Sequence, residues 1–158
     1  MRLAGTEFNL KYGALEIYLS GCRNHPCKGC HNAELWDASI GDELSDSKIL
    51  KHLSENITEP LVKNIWILGG EPTDDIDGLI KFIKWIRAIV CDKKAIWLWT
   101  HREIEDLAPS GILYYLDWVK TGKYREDGEP YEETHFHIKL ANREQKIWKI
   151  NRKNGAAI

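Results

Sequence analysis

The chain has 158 residues, with 22 Lys and Arg against 24 Asp and Glu and a formal net charge of −2. This length corresponds to one domain. A hydrophobic content of 43% with 29% charged residues is typical of a folded protein and argues against disorder. The near-neutral charge argues against a basic nucleic-acid-binding protein. Because the sequence shows neither an apolar run of membrane-spanning length nor a signal-peptide pattern, we expect a cytoplasmic protein without a membrane partner.

Apolar runs and helical periodicity alternate along the chain. In chain order they predict a strand at 14–19, a helix at 46–57 capped by Ser45, a strand at 64–68, a helix capped by Asp74 or Asp75, a strand at 95–99, a short helix within 100–106, a strand at 116–121, and one or two strands within 134–150.

Strands that alternate with helices are typical of parallel βαβ units. A unit takes about 30 residues, and a complete eightfold barrel typically needs about 250. We therefore predict an α/β fold in a single domain over 1–158, an open or partial (β/α) barrel of about five to six parallel strands. Residues 151–158 are expected to form a frayed tail. In such a fold ligands bind at the carboxyl ends of the strands.

Three of the four cysteines, Cys22, Cys27 and Cys30, lie within nine residues. In a reducing compartment such spacing indicates metal binding or redox chemistry rather than a disulfide. Structural zinc prefers four ligands, usually in two separated pairs, and His25 or His31 would have to complete the set from the same short loop. Three thiolates on one loop suit a four-iron cluster in which one iron lacks a protein ligand.

The fourth cysteine, Cys91, lies near the end of the second predicted helix, and we expect it to be a buried small hydrophobic residue. The chain also contains seven tryptophans. Because Trp66, Trp97 and Trp99 fall in predicted strands, we expect them to pack in the core or at its rim.

A glycine turn, Gly69-Gly70-Glu71-Pro72, begins where the second predicted strand ends. The cysteine loop begins at the carboxyl end of the first. Since these ends share one edge of a parallel sheet, we expect the thiolates and the turn to face one pocket. Alone, a glycine pair is common at strand ends. Glu71 is either a ligand contact or an acid favoured at a helix start.

The cysteine loop resembles the cluster loop of radical S-adenosylmethionine (SAM) enzymes, and the glycine turn resembles the turn that holds the amino group of SAM in that superfamily. Within the superfamily, the flanking segments resemble the family of anaerobic ribonucleotide reductase activating proteins. The matching pieces are Leu19-Ser20-Gly21-Cys22, Cys30-His31-Asn32, Glu34-Leu35-Trp36-Asp37, Ile96-Trp97-Leu98-Trp99-Thr100, Thr121-Gly122-Lys123-Tyr124 and, weakly, Ala141-Asn142-Arg143-Glu144-Gln145.

This resemblance implies a 4Fe-4S cluster held by Cys22, Cys27 and Cys30, with no catalytic side chain beyond the cluster. It implies reductive cleavage of SAM and formation of a glycyl radical on the large subunit of an anaerobic ribonucleotide reductase. Flavodoxin or a similar protein is the implied electron donor. The implied SAM-binding residues are Gly29, Cys30, His31, Gly69, Gly70, Glu71 and Thr100. On this basis Gly70→Val is expected to weaken SAM binding and to leave the cluster intact.

Three features depart from the family pattern. The segment before the first predicted strand lacks the family's usual Asn-Gly-Pro-Gly type start, although Gly5-Thr6 resembles it faintly. Four residues separate Cys22 from Cys27, where the superfamily usually has three. Either the chain bulges near Pro26 or a residue such as His25 helps to hold the cluster, and we predict a bulge with His25 not a ligand. His101-Arg102 follows Thr100 where the family usually has Gly-Tyr.

Two other functions are compatible with the sequence. One is a radical SAM enzyme that acts on another glycyl-radical enzyme or on a small molecule, although the chain has no extra domain to enclose a small substrate. The other is a zinc-stabilised interaction module without enzymatic activity. A brown anaerobic preparation would indicate iron and sulfide, whereas a colourless one would indicate zinc.

Overall fold

A mixed β-sheet of eight strands forms the centre of the protein, as the computed structural model of residues 1–158 shows. A separate hairpin contributes two more strands. In chain order the strands are β1 (Arg2–Asn9), β2 (Ala14–Leu19), β3 (Asp42–Glu43), β4 (Asn64–Gly69), β5 (Ala95–Trp99), β6 (Trp118–Thr121), β7 (Tyr131–Glu133), β8 (Ile138–Leu140), β9 (Lys146–Asn151) and β10 (Ala156–Ala157). The order in the large sheet is β10-β9-β6-β5-β4-β2-β1-β3, and β7 pairs with β8.

The four central strands, β2, β4, β5 and β6, are parallel. They correspond to the predicted strands at 14–19, 64–68, 95–99 and 116–121. The parallel set is smaller than the five to six strands expected, because β1 and β9 pair antiparallel with its two sides. The connection from β1 to β2 is too short for a crossover, so those strands can only form a hairpin. The barrel curvature stays a prediction.

Two long helices and one short helix connect the central strands. Asp46, rather than the expected Ser45, caps the first helix by accepting a hydrogen bond from the Lys48 N–H at 2.7 Å. Asp75 caps the second helix, as predicted, by accepting from the Gly78 N–H at 3.1 Å. The helices are α1 (Ser47–Thr58), α2 (Ile76–Val90) and α3 (Ile104–Leu107). None is both long and apolar enough to cross a membrane.

The two faces of the sheet bury different side chains, since successive residues of a strand point to opposite faces. Ile65 and Ile67 of β4 join the main core with the apolar faces of α1 and α2. Trp66 and Trp97 join a second cluster, which the hairpin residues Ile138 and Leu140 cover. The expected packing role of these tryptophans is confirmed, and the face opposite the helices keeps space for a ligand.

Two expectations about the periphery differ from the structure. The segment 151–158 is not frayed, because a turn at Gly155 (φ 70°) brings β10 back to pair with β9. The Ile158 N–H donates to the Lys149 carbonyl at 2.9 Å, which fixes the last residue. Cys91 is exposed rather than buried. It directly follows the last residue of α2 and has a φ of 50°, so the helix does not continue through it.

Candidate functional site

Backbone hydrogen bonds join the glycine turn to the cysteine loop. The Gly70 N–H donates to the Leu19 carbonyl at 2.8 Å, and the Glu71 N–H donates to the Gly21 carbonyl at 2.7 Å. Gly69 has a φ of 126°, and a Cβ atom there would collide with the backbone of Leu19. A Cβ at Gly70 would collide with the Gly21 carbonyl. The two motifs therefore meet, as predicted, and both glycines are needed because two backbones touch.

A cavity of about 600 Å³ opens where the central parallel strands end, on the sheet face opposite the helices. Cys22, Cys27 and Cys30 all line this cavity, as do Gly69 and Gly70. Its volume lies in the range of small-molecule sites, roughly 300–1,000 Å³. Other residues of its wall include Tyr18, Leu68, Trp99, Thr100, His101 and Lys120.

All three cavity cysteines are free thiols. Burial raises the pKa of the Cys22 thiol to about 11, and the nearby carboxylates of Glu71 and Asp74 add to this shift. Burial also raises the pKa of Cys27, although a backbone hydrogen bond involving Tyr124 partly opposes it. Since a thiolate is the form that binds metal, iron must displace these protons when it binds.

The donor set fits a cluster better than a single ion. No group of three or more His, Cys, Asp and Glu side chains is arranged to hold one metal ion. A four-iron cluster binds each thiolate at a different iron atom, so its cysteines need not converge on one point. Cys22, Cys27 and Cys30 are the residues that would hold such a cluster.

The loop between Cys22 and Cys27 has an irregular backbone. Asn24 and His25 both have left-handed conformations, with φ of 65° and 41°. The His25 ring stacks on Trp36, with ring centroids 4.3 Å apart and an angle of 9° between the planes. This irregular backbone lies at Asn24–His25, just before Pro26, where a bulge was expected; that it compensates for the extra residue stays a prediction.

Glu71 does not line the cavity, although it was expected to contact SAM. The residue is 3% exposed. It accepts hydrogen bonds from the Thr73 N–H and hydroxyl, from the Thr100 hydroxyl at 2.7 Å, and from the backbone N–H of His101 at 2.9 Å. The Nδ1 atom of His101 lies 2.7 Å away. Burial acts to raise the pKa of Glu71, but the interactions with His101 and Thr73 outweigh it and hold the pKa at about 2. Glu71 therefore ties the end of β5 to the glycine turn.

The other predicted SAM-binding residues divide into two groups. Cys30, His31, Gly69, Gly70 and Thr100 line the cavity, whereas Gly29 does not. Gly29 has a φ of 68°, and a Cβ atom there would collide with a side chain of the 122–130 loop. Packing within the protein therefore accounts for glycine at position 29.

The sequence matches a protein family described as "4Fe-4S single cluster domain" over residues 13–147. The chain belongs to this family. It is also similar to the anaerobic ribonucleoside-triphosphate reductase-activating proteins of three sources. The Enterobacteria phage T4 protein is 28% identical over 113 residues, which are 70% of each chain. Those of Haemophilus influenzae and Vibrio cholerae are each 29% identical over 122 residues, which are 72% of this chain and 76% of the relative. No solved structure matches. The resemblance inferred from the motifs is confirmed.

Among the cavity residues to which the sequence analysis gave no role, Lys120 of β6 carries a buried charge. Its side chain is buried, at 7% residue exposure, and its ammonium donates to the Gly122 carbonyl at 3.0 Å. Burial lowers the pKa of Lys120 to about 8, while Cys27 and Glu71 act to raise it. The only sequence signal is its alternation with Val119, which places it on the face opposite the helices. A buried cation in a cavity wall favours a ligand with an anionic group.

Proposed function

We propose that this chain holds a 4Fe-4S cluster on Cys22, Cys27 and Cys30, cleaves SAM reductively and generates a glycyl radical on an anaerobic ribonucleotide reductase. The observation that carries the proposal is that three free thiols and the Gly69-Gly70 turn border one cavity. The three relatives are named as activating proteins of anaerobic ribonucleoside-triphosphate reductases, which supports this choice of partner. A flavodoxin or a similar protein would supply the electron.

A four-iron cluster held by Cys22, Cys27 and Cys30 would supply one electron to the sulfonium of SAM. Cleavage of one sulfur–carbon bond would then give methionine and a 5′-deoxyadenosyl radical, which would take a hydrogen atom from a glycine of the partner. The protein's own residues bind and orient the ligand. Lys120 offers a positive charge for the SAM carboxylate, and the glycine turn leaves the backbone accessible for the amino group. The apolar surfaces of Leu68 and Trp99 limit the access of water.

The test is anaerobic reconstitution with iron and sulfide, followed by metal analysis and an assay of SAM cleavage with and without the candidate reductase. We expect a brown protein with about four irons per chain, reductive release of methionine, and a glycyl radical signal on the reductase. A colourless protein that binds zinc would overturn the proposal and support an interaction module. SAM cleavage without a radical on the reductase would point to another acceptor.

A further inference from the structure

Asp74 connects the turn after Glu71 to the cysteine loop. One carboxylate oxygen, Oδ2, accepts a hydrogen bond from the backbone N–H of Arg23 at 2.6 Å. The other, Oδ1, lies 2.8 Å from Nη2 of Arg102. The Asp74 side chain is only 12% exposed, whereas the Arg102 side chain is 39% exposed, so water partly screens their ion pair. Because Arg23 directly follows Cys22, Asp74 fixes the backbone one residue beyond the first thiol.

Arg102 is itself held in place by the end of β5 and by the turn after Glu71. Its Nε donates to the Thr73 hydroxyl at 2.7 Å, and its backbone N–H donates to the Thr100 hydroxyl at 3.0 Å. A guanidinium presents its donors in a rigid planar fork, so an Arg fixed at Nε has a defined direction for Nη2. That direction leads to Asp74.

The cysteine loop needs such support because of its backbone conformation. Asn24 and His25 have consecutive left-handed dihedrals. This conformation costs an L-residue backbone energy, although Asn and His adopt it more readily than most other non-glycine residues. Strained backbone persists only where the surroundings hold it. The His25–Trp36 stack holds the middle of the loop, and Asp74 holds its start. Two of the departures from the family pattern, the longer loop and Arg102, therefore meet at Asp74.

We propose that Asp74, oriented by Arg102, is the positioning residue of the cysteine loop. It holds the backbone of this loop so that the Cys22 thiolate reaches its iron despite the extra residue. This inference rests on the proposed function only in that Cys22 binds a cluster. It is independent of SAM cleavage and of the partner.

The test compares anaerobically reconstituted variants by the rate at which iron passes to an excess of chelator and by the electron paramagnetic resonance spectrum of the reduced cluster. Asp74→Ala and Arg102→Met should each release iron about tenfold faster than wild type, as loss of one charge-assisted hydrogen bond implies. The double variant should be no faster than Asp74→Ala, since both changes remove the same support. Asp74→Asn keeps an oxygen acceptor for the Arg23 N–H and should restore part of the retention.

The matched control is Asp77→Ala, which removes the same charge from an exposed position in the first turn of α2. It should release iron like wild type. A positioning role predicts a changed spectrum in Asp74→Ala and partial recovery in Asp74→Asn. If Asp74 only stabilised the fold, Asp74→Ala would lower the melting temperature and leave the spectrum unchanged. Wild-type iron release and an unchanged spectrum in Asp74→Ala would overturn the inference.

The outcome separates this inference from the proposed function. If the wild-type protein keeps its cluster but does not cleave SAM, the proposed function is wrong and the role of Asp74 is unaffected. If the wild-type protein cleaves SAM and the Asp74→Ala variant retains iron normally, only the proposed role of Asp74 is wrong. If the wild-type protein binds no iron–sulfur cluster, both the proposed function and the role of Asp74 are wrong.

Discussion

Gly70 lies directly against Gly21, so that a Cβ atom at position 70 would collide with the carbonyl group of Gly21. The same carbonyl accepts the hydrogen bond from the Glu71 N–H at 2.7 Å. The expected SAM turn and the cysteine loop are therefore one packed unit. The expectation that Gly70→Val spares the cluster loop does not agree with this packing, since the new side chain must displace the residue next to Cys22.

Gly70→Ala should therefore reduce iron retention as well as SAM binding. The added methyl group has to move the backbone of Gly21, which cannot swing aside as a flexible side chain can. Iron content after reconstitution measures this effect. Gly5→Ala is the control, because a Cβ atom at Gly5 meets nothing within 4 Å. Full iron content in Gly70→Ala would show that the loop is more adaptable than its packing indicates.

Each of Cys22→Ala, Cys27→Ala and Cys30→Ala should abolish cluster binding, because two thiolates do not hold the four-iron unit. Cys91→Ala should keep the cluster, since Cys91 is exposed at the end of α2 and does not line the cavity. Iron and sulfide content, with the visible spectrum, measures the outcome. Loss of the cluster in Cys91→Ala together with its retention in Cys22→Ala would replace the proposed ligand set.

His25→Ala should keep iron near the wild-type level after reconstitution. The ring of His25 is stacked on Trp36, so packing accounts for its position. The measurement is the iron content under saturating iron and sulfide. A large loss of iron would assign His25 as a ligand and would give the longer cysteine spacing a chemical role.

Glu71→Gln should lower the free energy of unfolding of the metal-free protein by about 2–4 kcal/mol at neutral pH, because a buried, hydrogen-bonded carboxylate is lost. Its folded pKa of about 2 lies below the ordinary value of 4.5. The stability that it contributes is therefore present above the ordinary pKa and is lost as the pH falls towards 2. Denaturation at several pH values should show the difference from wild type shrinking below about pH 4.5. Glu105→Gln, at an exposed position, should show no such trend.

Lys120→Met should weaken SAM binding to the reconstituted protein by about tenfold or more, the effect of removing a buried charged hydrogen-bond donor. The cluster should remain, since Lys120 is not a thiol ligand. Lys139→Met is a matched control, because Lys139 also borders the cavity but is exposed. A titration with SAM followed by the spectrum of the reduced cluster compares the two variants. Equal affinities would show that Lys120 does not face the ligand.

Local patterns were sufficient for the central elements. Alternation predicted β2, short apolar runs predicted β4 and β5, and helical periodicity predicted α2, because each pattern lies within a few consecutive residues. The placement of the cysteine loop and the glycine turn at one sheet edge followed from the parallel order of those strands. β1 was missed, since its half-exposed residues form no apolar run and its pairing with β2 is tertiary.

The amino-acid sequence by itself determined the donor atoms, the glycine turn and the edge of the sheet at which they meet. The tertiary structure decided how they are held. Asp74 meets Arg23 across 51 positions of the chain, and Glu71 meets Thr100 across 29. Lys120 faces the cavity only because β6 lies beside β5. Such contacts depend on where distant segments pack, which the local spacing of residues does not encode. Burial then strengthens these contacts by excluding water.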